Sequence, residues 1–400
     1  MYPWFTVVYP NTGIIVASLT NMAMTSASSD SVNDTIIIDS PKLEDYNTSD
    51  CSAVLNLIYA PAEMVIQRMF YSRNTRLMMG YILPGILGIG LLGNLAFIFT
   101  LLRVRSMRTI INFYLLNLSV ADLGLILVLG FRYTWTISNS PYVYTEPFTT
   151  DIGCVVISMI TYTAYFGSMG FVNLVSYERY LAICHTFKHK SFNCKKRTAR
   201  LIAAIWIIAL VTASTVAPAR PKMSRYCVLW PPGEIFARLP TSIYTCSSQS
   251  PTYDNYPAFL QGTYFTFALC FNVVLYTLIV MKLISKDSLT AIEENSKQLS
   301  QLKVQRQKVN IQVVRMLVLN TTCFFTCLMP FHFFLLQATI ERVSDGKLDL
   351  LDSGQSSFLF WTAMALNCIN SSANPFVYNI ANERYRRALY EAFGYRKSRA

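Results

Sequence analysis

Seven long apolar runs limit what this chain can fold into. They cover about residues 79–102, 111–137, 151–184, 199–217, 256–284, 309–338 and 355–380. A lipid-spanning helix needs about 20 mainly apolar residues, because each residue advances ~1.5 Å through a hydrocarbon core of ~30 Å. The ten-residue alternation that marks the strands of a membrane barrel is absent from these runs. The runs therefore predict an all-α membrane protein built as a seven-transmembrane helix bundle.

Charged residues are scarce, and their placement gives the chain a direction in the membrane. They make up 14% of the 400 residues, whereas a soluble globular protein carries about 25%. The net charge is +12, and lysine and arginine favour the loops after the first, third and fifth runs and the C-terminal tail. A nucleic-acid-binding protein would instead carry a basic stripe on a soluble face. The positive-inside rule places the N-terminus outside and the C-terminus in the cytosol, as in a multi-pass protein of the plasma membrane.

The sequence divides into three parts. Residues 1–77 are polar, carry glycosylation sequons at Asn33 and Asn47, and are expected to be extracellular and largely disordered. Residues 78–381 are expected to form the bundle. Residues 382–400 are expected to form a short amphipathic cytosolic helix 8 and a tail, because apolar side chains recur there at helical spacing.

Cysteine and histidine usage restricts the chemistry of the chain. Cys51, Cys154, Cys227 and Cys246 fall on the predicted outer side, where four cysteines can form up to two disulfides in three connectivities. The chain has three histidines, and the HExxH, GxSxG and P-loop motifs are absent. An enzyme is therefore not expected.

Short motifs lie in order on separate runs. They are Gly93-Asn94 on the first, Asp122-Leu123 on the second, Glu178-Arg179-Tyr180 on the third, Phe324, Cys327 and Pro330 on the sixth, and Asn374-Pro375-Phe376-Val377-Tyr378 on the seventh. Each motif is short, but the ordered set resembles the rhodopsin-like (class A) family of G-protein-coupled receptors over about residues 79–393. The resemblance is nearest, though loose, to neuropeptide receptors of the thyrotropin-releasing-hormone and FMRFamide kind.

The resemblance implies a ligand-driven signal to a heterotrimeric G protein, with arrestin and membrane lipids as further partners. The residues that match the family's coupling and activation motifs are Glu178, Arg179, Tyr180, Phe187, Tyr276, Pro330, Asn374, Pro375 and Tyr378. Glu178 and Arg179 are expected to pair near the cytosol, and Pro330 to kink its helix into a hinge. Asn310 replaces an acid that the family often keeps, which favours raised basal activity.

The resemblance also implies an allosteric sodium site around the acid of the second run, and no other metal or cofactor. Its residues would be Asp122, Ser168, Asn370, Ser371 and Asn374. A buried carboxylate either takes up a proton or gains a cation, because burial disfavours its charged form. The alternative is a hydrogen-bonded packing cluster without an ion.

A disulfide between the third helix and the loop before the fifth is a further implication of the resemblance. Cys154 would be one partner, and Cys246 is preferred for the other because it lies close before the fifth run, with Cys227 as the alternative. If Cys246 is used, Cys227 either pairs with Cys51 or both stay free.

The ligand is expected to be a peptide. Thr161 stands where amine receptors of the family keep an aspartate, and Cys368 where opsins keep the retinal lysine. Candidate ligand-binding residues are Arg132, Tyr133, Thr161, Tyr162, Tyr165, Gln261, Tyr264, Phe331, His332, Gln337 and Trp361. Arg132 is the first choice, because an unpaired cation high in a span would seek a carboxylate or carbonyl; the alternative is that it reaches lipid headgroups.

Three departures from the family pattern leave other functions open. Leu328 replaces the usual tryptophan before Pro330, Ala268 the usual proline of the fifth run, and Thr186 the usual proline after the Glu178-Arg179-Tyr180 motif. These departures are compatible with a signalling-silent scavenger that has a receptor fold. A multi-pass transporter or channel is the alternative from another class.

Overall fold

Seven long helices and a small sheet make up the chain. The computed structural model describes residues 51–187, 189, 194–219, 222–247, 253, 255–290, 297–344 and 353–395. The helices are α1 (Ala62–Met69), α2 (Arg73–Arg103), α3 (Ile110–Asn139), α4 (Asp151–Cys184), α5 (Lys195–Val216), α6 (Tyr256–Thr290), α7 (Lys297–Val343), α8 (Ser353–Ala381) and α9 (Glu383–Ala392). The strands are β1 (Ala53–Asn56), β2 (Lys222–Leu229) and β3 (Ser242–Ser247).

The helices α2 to α8 form the predicted membrane bundle. Six of them, α2 to α7, are long and apolar enough to cross a bilayer. Helix α8, of 29 residues, packs against both α7 and α2 and so closes the ring. The prediction of a seven-transmembrane helix bundle is therefore confirmed.

The ends of the helices follow local sequence as well as hydropathy. Helix α4 has the predicted limits of 151–184, and the side chain of Thr150 caps it by accepting a hydrogen bond from the Gly153 amide at 3.1 Å. Helix α7 is longer than the predicted run at 309–338, because its first residues contain no glycine or proline and are mainly strong helix formers. An apolar run marks the membrane segment of a helix and not its full length.

Close packing inside the bundle depends on one small residue between α2 and α8. A Cβ atom added to Gly90 would lie 2.1 Å from Ser372 Oγ. The hydroxyl of Ser372 donates to the Ile86 carbonyl at 3.2 Å, and the Asn94 amide donates to the Ser371 carbonyl at 3.0 Å. The missing side chain at Gly90 therefore lets two backbones approach closely enough for polar contacts between helices.

A separate small domain, the sheet cap, covers one end of the bundle and consists of β1, α1, β2 and β3. Strand β1 pairs in parallel with β2, and β2 pairs antiparallel with β3. The cap has its own apolar core, made of Leu57, Val65, Met69, Val143, Val228, Phe236, Leu239 and Ile243. The prediction of a largely disordered segment over 1–77 is wrong for residues 51–77, because strand pairing, this core and a disulfide order them; Asn33 and Asn47 lie outside the described residues.

The short helix α9 lies against the opposite end of the bundle, called here the Arg179 end. Its Tyr385 is buried and donates a hydrogen bond to the Asn112 side chain of α3. Burial raises the pKa of Tyr385 to about 12, so the hydroxyl keeps its proton. The ring of Tyr385 also lies 6.2 Å from that of Phe97 on α2, between centroids. The predicted amphipathic helix is thus fixed to α2 and α3.

Candidate functional site

A layer of buried aromatic and polar side chains joins α4, α6 and α7 in the half of the bundle nearer the cap. Tyr165 Oη lies 3.0 Å from His332 Nε2. The imidazole of His332 stacks on the ring of Phe265, with 3.9 Å between centroids. Three of the seven helices therefore meet at one histidine.

Two polar side chains lie one helical turn nearer the cap, on the same faces as this layer. Thr161 precedes Tyr165 by four residues on α4, and Gln261 precedes Phe265 by four residues on α6. Residues four apart lie on the same helix face, so Thr161 and Gln261 lie one turn nearer the cap than the two rings. Both are almost completely buried, at 1% and 0% exposed. Within the described part of the chain, the Thr161 hydroxyl, both amide atoms of Gln261 and His332 Nδ1 have no hydrogen-bond partner. Buried polar groups are costly unless they are hydrogen-bonded, so this layer is suited to a polar ligand.

The remaining predicted ligand residues fall into two groups. Beside the layer, the rings of Tyr162 and Tyr264 flank Phe166, at 6.4 and 5.2 Å between centroids. Phe331 is buried next to His332, and the Gln337 amide donates to Glu341 at 3.4 Å, further along α7.

The second group joins α2, α3 and α8. Tyr133 lies 6.4 Å from Trp361 between ring centroids, and the Trp361 indole donates to the Thr75 hydroxyl at 3.0 Å. The structure therefore gives these two aromatic residues a packing role at the cap end, whereas Thr161 and Gln261 keep free hydrogen-bonding capacity.

Arg132 is not the unpaired cation that the sequence predicted. Its guanidinium forms an ion pair with Glu146 and donates to the Tyr144 hydroxyl, and it is buried, so it does not reach lipid headgroups either. The loop after α3 folds back onto the end of that helix and brings both partners to it. Burial raises the pKa of Tyr144 well above its usual value, so its hydroxyl stays protonated. The sequence held a signal for this pair, since Glu146 is the acid of the 140–150 loop.

One disulfide joins the cap to the bundle, and a second lies within the cap. Cys154 at the start of α4 bonds to Cys246 of β3, the pairing that the family resemblance favoured. Cys51 bonds to Cys227 of β2, so neither is free. The cap end of α4 is therefore held covalently against the sheet.

At the Arg179 end, Glu178 and Arg179 do not form the predicted pair. Glu178 lies 3.1 Å from His189 Nε2 and 3.4 Å from Arg197 Nη2, although neither contact has good hydrogen-bond geometry. Arg179 Nε has no hydrogen-bond partner among the described residues. Adjacent residues on a helix point about 100° apart, so Glu178 faces the start of α5 while Arg179 faces elsewhere.

Other predicted coupling residues pack between helices at this end, and Tyr276 lies close enough to Arg179 to interact with its charge. Tyr276 contacts Ser176 of α4 and Thr321 of α7, each at 3.1 Å. Tyr378 is fully buried, with its ring 5.3 Å from that of Phe97 between centroids. The expected role of the two tyrosines in coupling stays a prediction.

The remaining coupling residues are exposed or lie within helices. Tyr180 Oη lies 3.1 Å from His185 Nε2, and Phe187 is 89% exposed. Pro330 and Pro375 lie inside α7 and α8. Asn310 also falls in α7, but its side chain lies outside the described residues.

Asp122 is the fully buried acid of α3, and its surroundings are polar. The Ser168 hydroxyl donates to Oδ1 at 3.1 Å and the Asn374 amide donates to Oδ2 at 2.6 Å. Asn370 and Ser371 are also buried, at 5% and 3% exposed. Carboxylate, hydroxyl and amide oxygens are ligands that suit a hard cation, so the donor set fits sodium. Both carboxylate oxygens also accept hydrogen bonds, so the sodium site stays a prediction.

Comparison with known proteins identifies the family. The family described as "7 transmembrane receptor (rhodopsin family)" matches residues 93–378. Rat (Rattus norvegicus) neuromedin-U receptor 1 is 27% identical over 321 residues, which cover 76% of this chain and 71% of the relative. The Caenorhabditis elegans neuromedin U receptor homolog nmur-2 is 27% identical over 315 residues, 75% of each chain. The Gallus gallus thyrotropin-releasing hormone receptor is 25% identical over 325 residues, 76% of this chain and 75% of the relative.

Since the family match covers well over half of the chain, this protein belongs to the rhodopsin family of seven-transmembrane receptors, and it is a G-protein-coupled receptor and not an enzyme.

Proposed function

We propose that this receptor binds an extracellular peptide at the cap end of its bundle and activates a heterotrimeric G protein at the Arg179 end. The observation that carries the proposal is the buried polar layer of Thr161, Gln261 and His332. A peptide backbone carries both donors and acceptors, so it can satisfy the amide oxygen and the amide nitrogen of Gln261 together. The aromatic side chains around the layer suit apolar peptide side chains.

The relatives support a peptide over other ligand classes. Two of the receptors reported above are named for neuromedin U and a third for thyrotropin-releasing hormone. A biogenic amine would need a carboxylate for its ammonium group, and Thr161 occupies the position on α4 where amine receptors carry it. Thr161 and Gln261 of this layer are neutral hydrogen-bonding groups, which match the neutral amide groups of a peptide backbone.

The orientation of the receptor follows from its basic loops. The residues that follow α2 include Arg105 and Arg108, and those of α9 include Arg384, Arg386 and Arg387. We place these at the cytosolic face of the plasma membrane, which puts the sheet cap outside the cell. Two disulfides in the cap agree with an oxidising extracellular location.

Sodium and arrestin belong to the same proposal. Sodium would bind at Asp122 with Ser168, Asn370, Ser371 and Asn374 and favour the resting state, as the polar donor set supports. Arrestin would share the Arg179 end with the G protein. If sodium binds there, raising its concentration lowers agonist affinity, and Asp122→Asn removes that dependence; dependence that persists in the variant rules out this site.

The test is a peptide screen on cells that express the full receptor and a promiscuous G-protein reporter. Peptides of the neuromedin-U and thyrotropin-releasing-hormone types are the first probes. For an active peptide, Gln261→Leu should raise the half-maximal concentration on the order of 10–100-fold, since it removes one or two hydrogen bonds from a desolvated site. Arg179→Ala should abolish the response without loss of binding.

The matched control is Thr263→Val, which changes an exposed residue of α6 whose hydroxyl bonds only its own helix. It should leave peptide potency unchanged. Full potency in the Gln261→Leu receptor would refute the polar layer as the peptide site. Solute or ion flux without G-protein activation would favour the transporter class, and peptide binding without activation would favour a scavenger.

A further inference from the structure

Two amides, one of them buried and the other half-buried, join α4 and α6 in the middle of the bundle. The Asn272 amide donates to Asn173 Oδ1 at 2.6 Å and to the Ala268 carbonyl of its own helix at 2.8 Å. Asn272 is 1% exposed. An amide inside a membrane span is costly without a partner, so each asparagine supports the other.

A second polar contact lies one turn nearer the Arg179 end and extends to a third helix. Ser176 follows Asn173 by three residues, and Tyr276 follows Asn272 by four. The Ser176 hydroxyl donates to Tyr276 Oη at 3.1 Å, and Tyr276 Oη lies 3.1 Å from Thr321 Oγ1 on α7. Asn173, Asn272, Ser176, Tyr276 and Thr321 are called the polar seam below.

We propose that the polar seam holds the resting receptor closed at its Arg179 end. The two contacts between α4 and α6 fix the phenol of Tyr276, and this phenol in turn holds Thr321 of α7. Ser176, Asn173, Asn272 and Thr321 are thus positioning residues for activation. The seam lies inside the bundle, away from the peptide site, so its action does not depend on which ligand the receptor binds.

The position of Thr321 relative to Pro330 makes the seam sensitive to activation. Thr321 precedes Pro330 by nine residues, which places it ~13 Å from the kink, on the Arg179 side. A proline removes a backbone hydrogen bond and makes a hinge, so this half of α7 can swing as a unit. Any outward swing moves Thr321 away from Tyr276, because Tyr276 is also held by α4.

Among the described residues, the acid of the Glu178-Arg179-Tyr180 motif is directed away from α7. Glu178 lies against His189 and Arg197 and not against Arg179. The predicted contact between Glu178 and Arg179 therefore does not restrain this end within the described part of the chain. The neutral hydrogen bonds of the polar seam hold this end closed instead. Each bond shifts the equilibrium between the closed and open states by only a small amount.

The experiment measures ligand-independent G-protein activation by the full receptor at matched surface expression. Thr321→Val removes the hydroxyl and keeps the shape, and it should raise basal activation about threefold, the population shift that one average interhelical hydrogen bond supports. Thr321→Ser keeps the hydroxyl and should stay at the unsubstituted level. Asn272→Leu should also raise basal activation. The matched control is Thr277→Val, because Thr277 is an exposed neighbour of Tyr276 that bonds only the Val273 carbonyl.

A second measurement reports the position of α7 without any G protein or ligand. An environment-sensitive fluorophore encoded at Arg315, an exposed residue of α7, should show a larger open fraction in Thr321→Val than in Thr277→Val. In a Tyr276→Phe background, Thr321→Val should not increase the open fraction further, because the two residues form one contact. Basal activation and fluorescence equal to those of Thr277→Val would overturn the seam. Failure of the peptide screen alone would not, since neither measurement uses a peptide.

Discussion

The two ends of the bundle are held together by different kinds of contact. At the cap end, two disulfides and the buried Arg132–Glu146 ion pair fasten strands, loop and helices to one another. At the Arg179 end, the interhelical contacts include neutral hydroxyls such as Tyr276 with Thr321, and the pair of Glu178 with the partly exposed Arg197. One end is held by two disulfides and an ion pair with both partners buried, and the other by neutral hydrogen bonds and an ion pair with one partner partly exposed.

The difference in strength assigns recognition and movement to separate ends. A disulfide is worth about 2–4 kcal/mol, and leaving one partner of a buried ion pair alone costs about 3–5 kcal/mol. A hydrogen bond between membrane helices averages about 0.6 kcal/mol. If the ligand binds at the rigid end, as proposed, we expect the conformational change to take place at the weakly held end. Stability losses on substitution should follow this order.

The largest loss is expected from Glu146→Ala, which leaves the Arg132 guanidinium buried without its carboxylate. The free energy of unfolding should fall by about 3–5 kcal/mol. Thermal unfolding of the purified receptor and its surface expression measure the effect. Glu234→Ala, at an exposed acid of the same cap end, should change stability by less than about 0.5 kcal/mol. If the two variants lost the same stability, the ion pair would not contribute to the strength of the cap end.

The double substitution Cys51→Ser with Cys227→Ser should come next, because it releases β1 from β2 without leaving an odd thiol. The chain-entropy argument gives a loss of about 2–4 kcal/mol, confined to the cap. Hydrogen exchange in Ala53–Asn56 should rise, while exchange in α4 stays as it was, since Cys154–Cys246 still holds that helix. Loss of protection throughout the bundle would show that the cap and the helices do not respond separately.

The helices were predictable from the sequence because their signal is local. An apolar run of about 20 residues has one stable outcome in lipid, and α4 has the limits that its run indicated. The sheet cap was not predictable, since its strands join residues such as Cys51 and Cys227 that are 176 positions apart. No local pattern states that residues at such a distance will pair.

The candidate site was predictable in its residue types but not in its contacts. Thr161, Gln261 and His332 were candidates because they fall in the outer half of the predicted bundle, and the structure places them on adjoining turns. The same reasoning predicted that Arg132 has no partner and that Glu178 pairs with Arg179. The partners in the structure are Glu146 and Arg197, which come from other elements and reach these residues only in the folded chain. Asn173 and Asn272 could have been found, since a polar residue inside an apolar span is a functional candidate by default.

Tyr385→Phe tests the weakly held end. It removes the hydrogen bond between the Tyr385 hydroxyl of α9 and Asn112 of α3 and leaves the ring in place. The loss should be about 1 kcal/mol, smaller than either cap variant, because a neutral hydrogen bond is exchanged. Thermal unfolding measures it, with Tyr390→Phe as the exposed control on the same helix. A loss as large as that of Glu146→Ala would contradict the ranking.

The smallest loss is expected from Arg197→Ala. This change removes a guanidinium that lies 3.4 Å from Glu178 and has 21% of its side chain exposed. Glu178 itself is buried, but solvent reaches the Arg197 guanidinium and His189 remains 3.1 Å from the carboxylate, so the free energy of unfolding should fall by only about 1 kcal/mol. Thermal unfolding would check this, beside Glu146→Ala in the same preparation. If Arg197→Ala destabilised the receptor as strongly as Glu146→Ala, charge would hold both ends equally, and the weakly held end could no longer be assigned the movement.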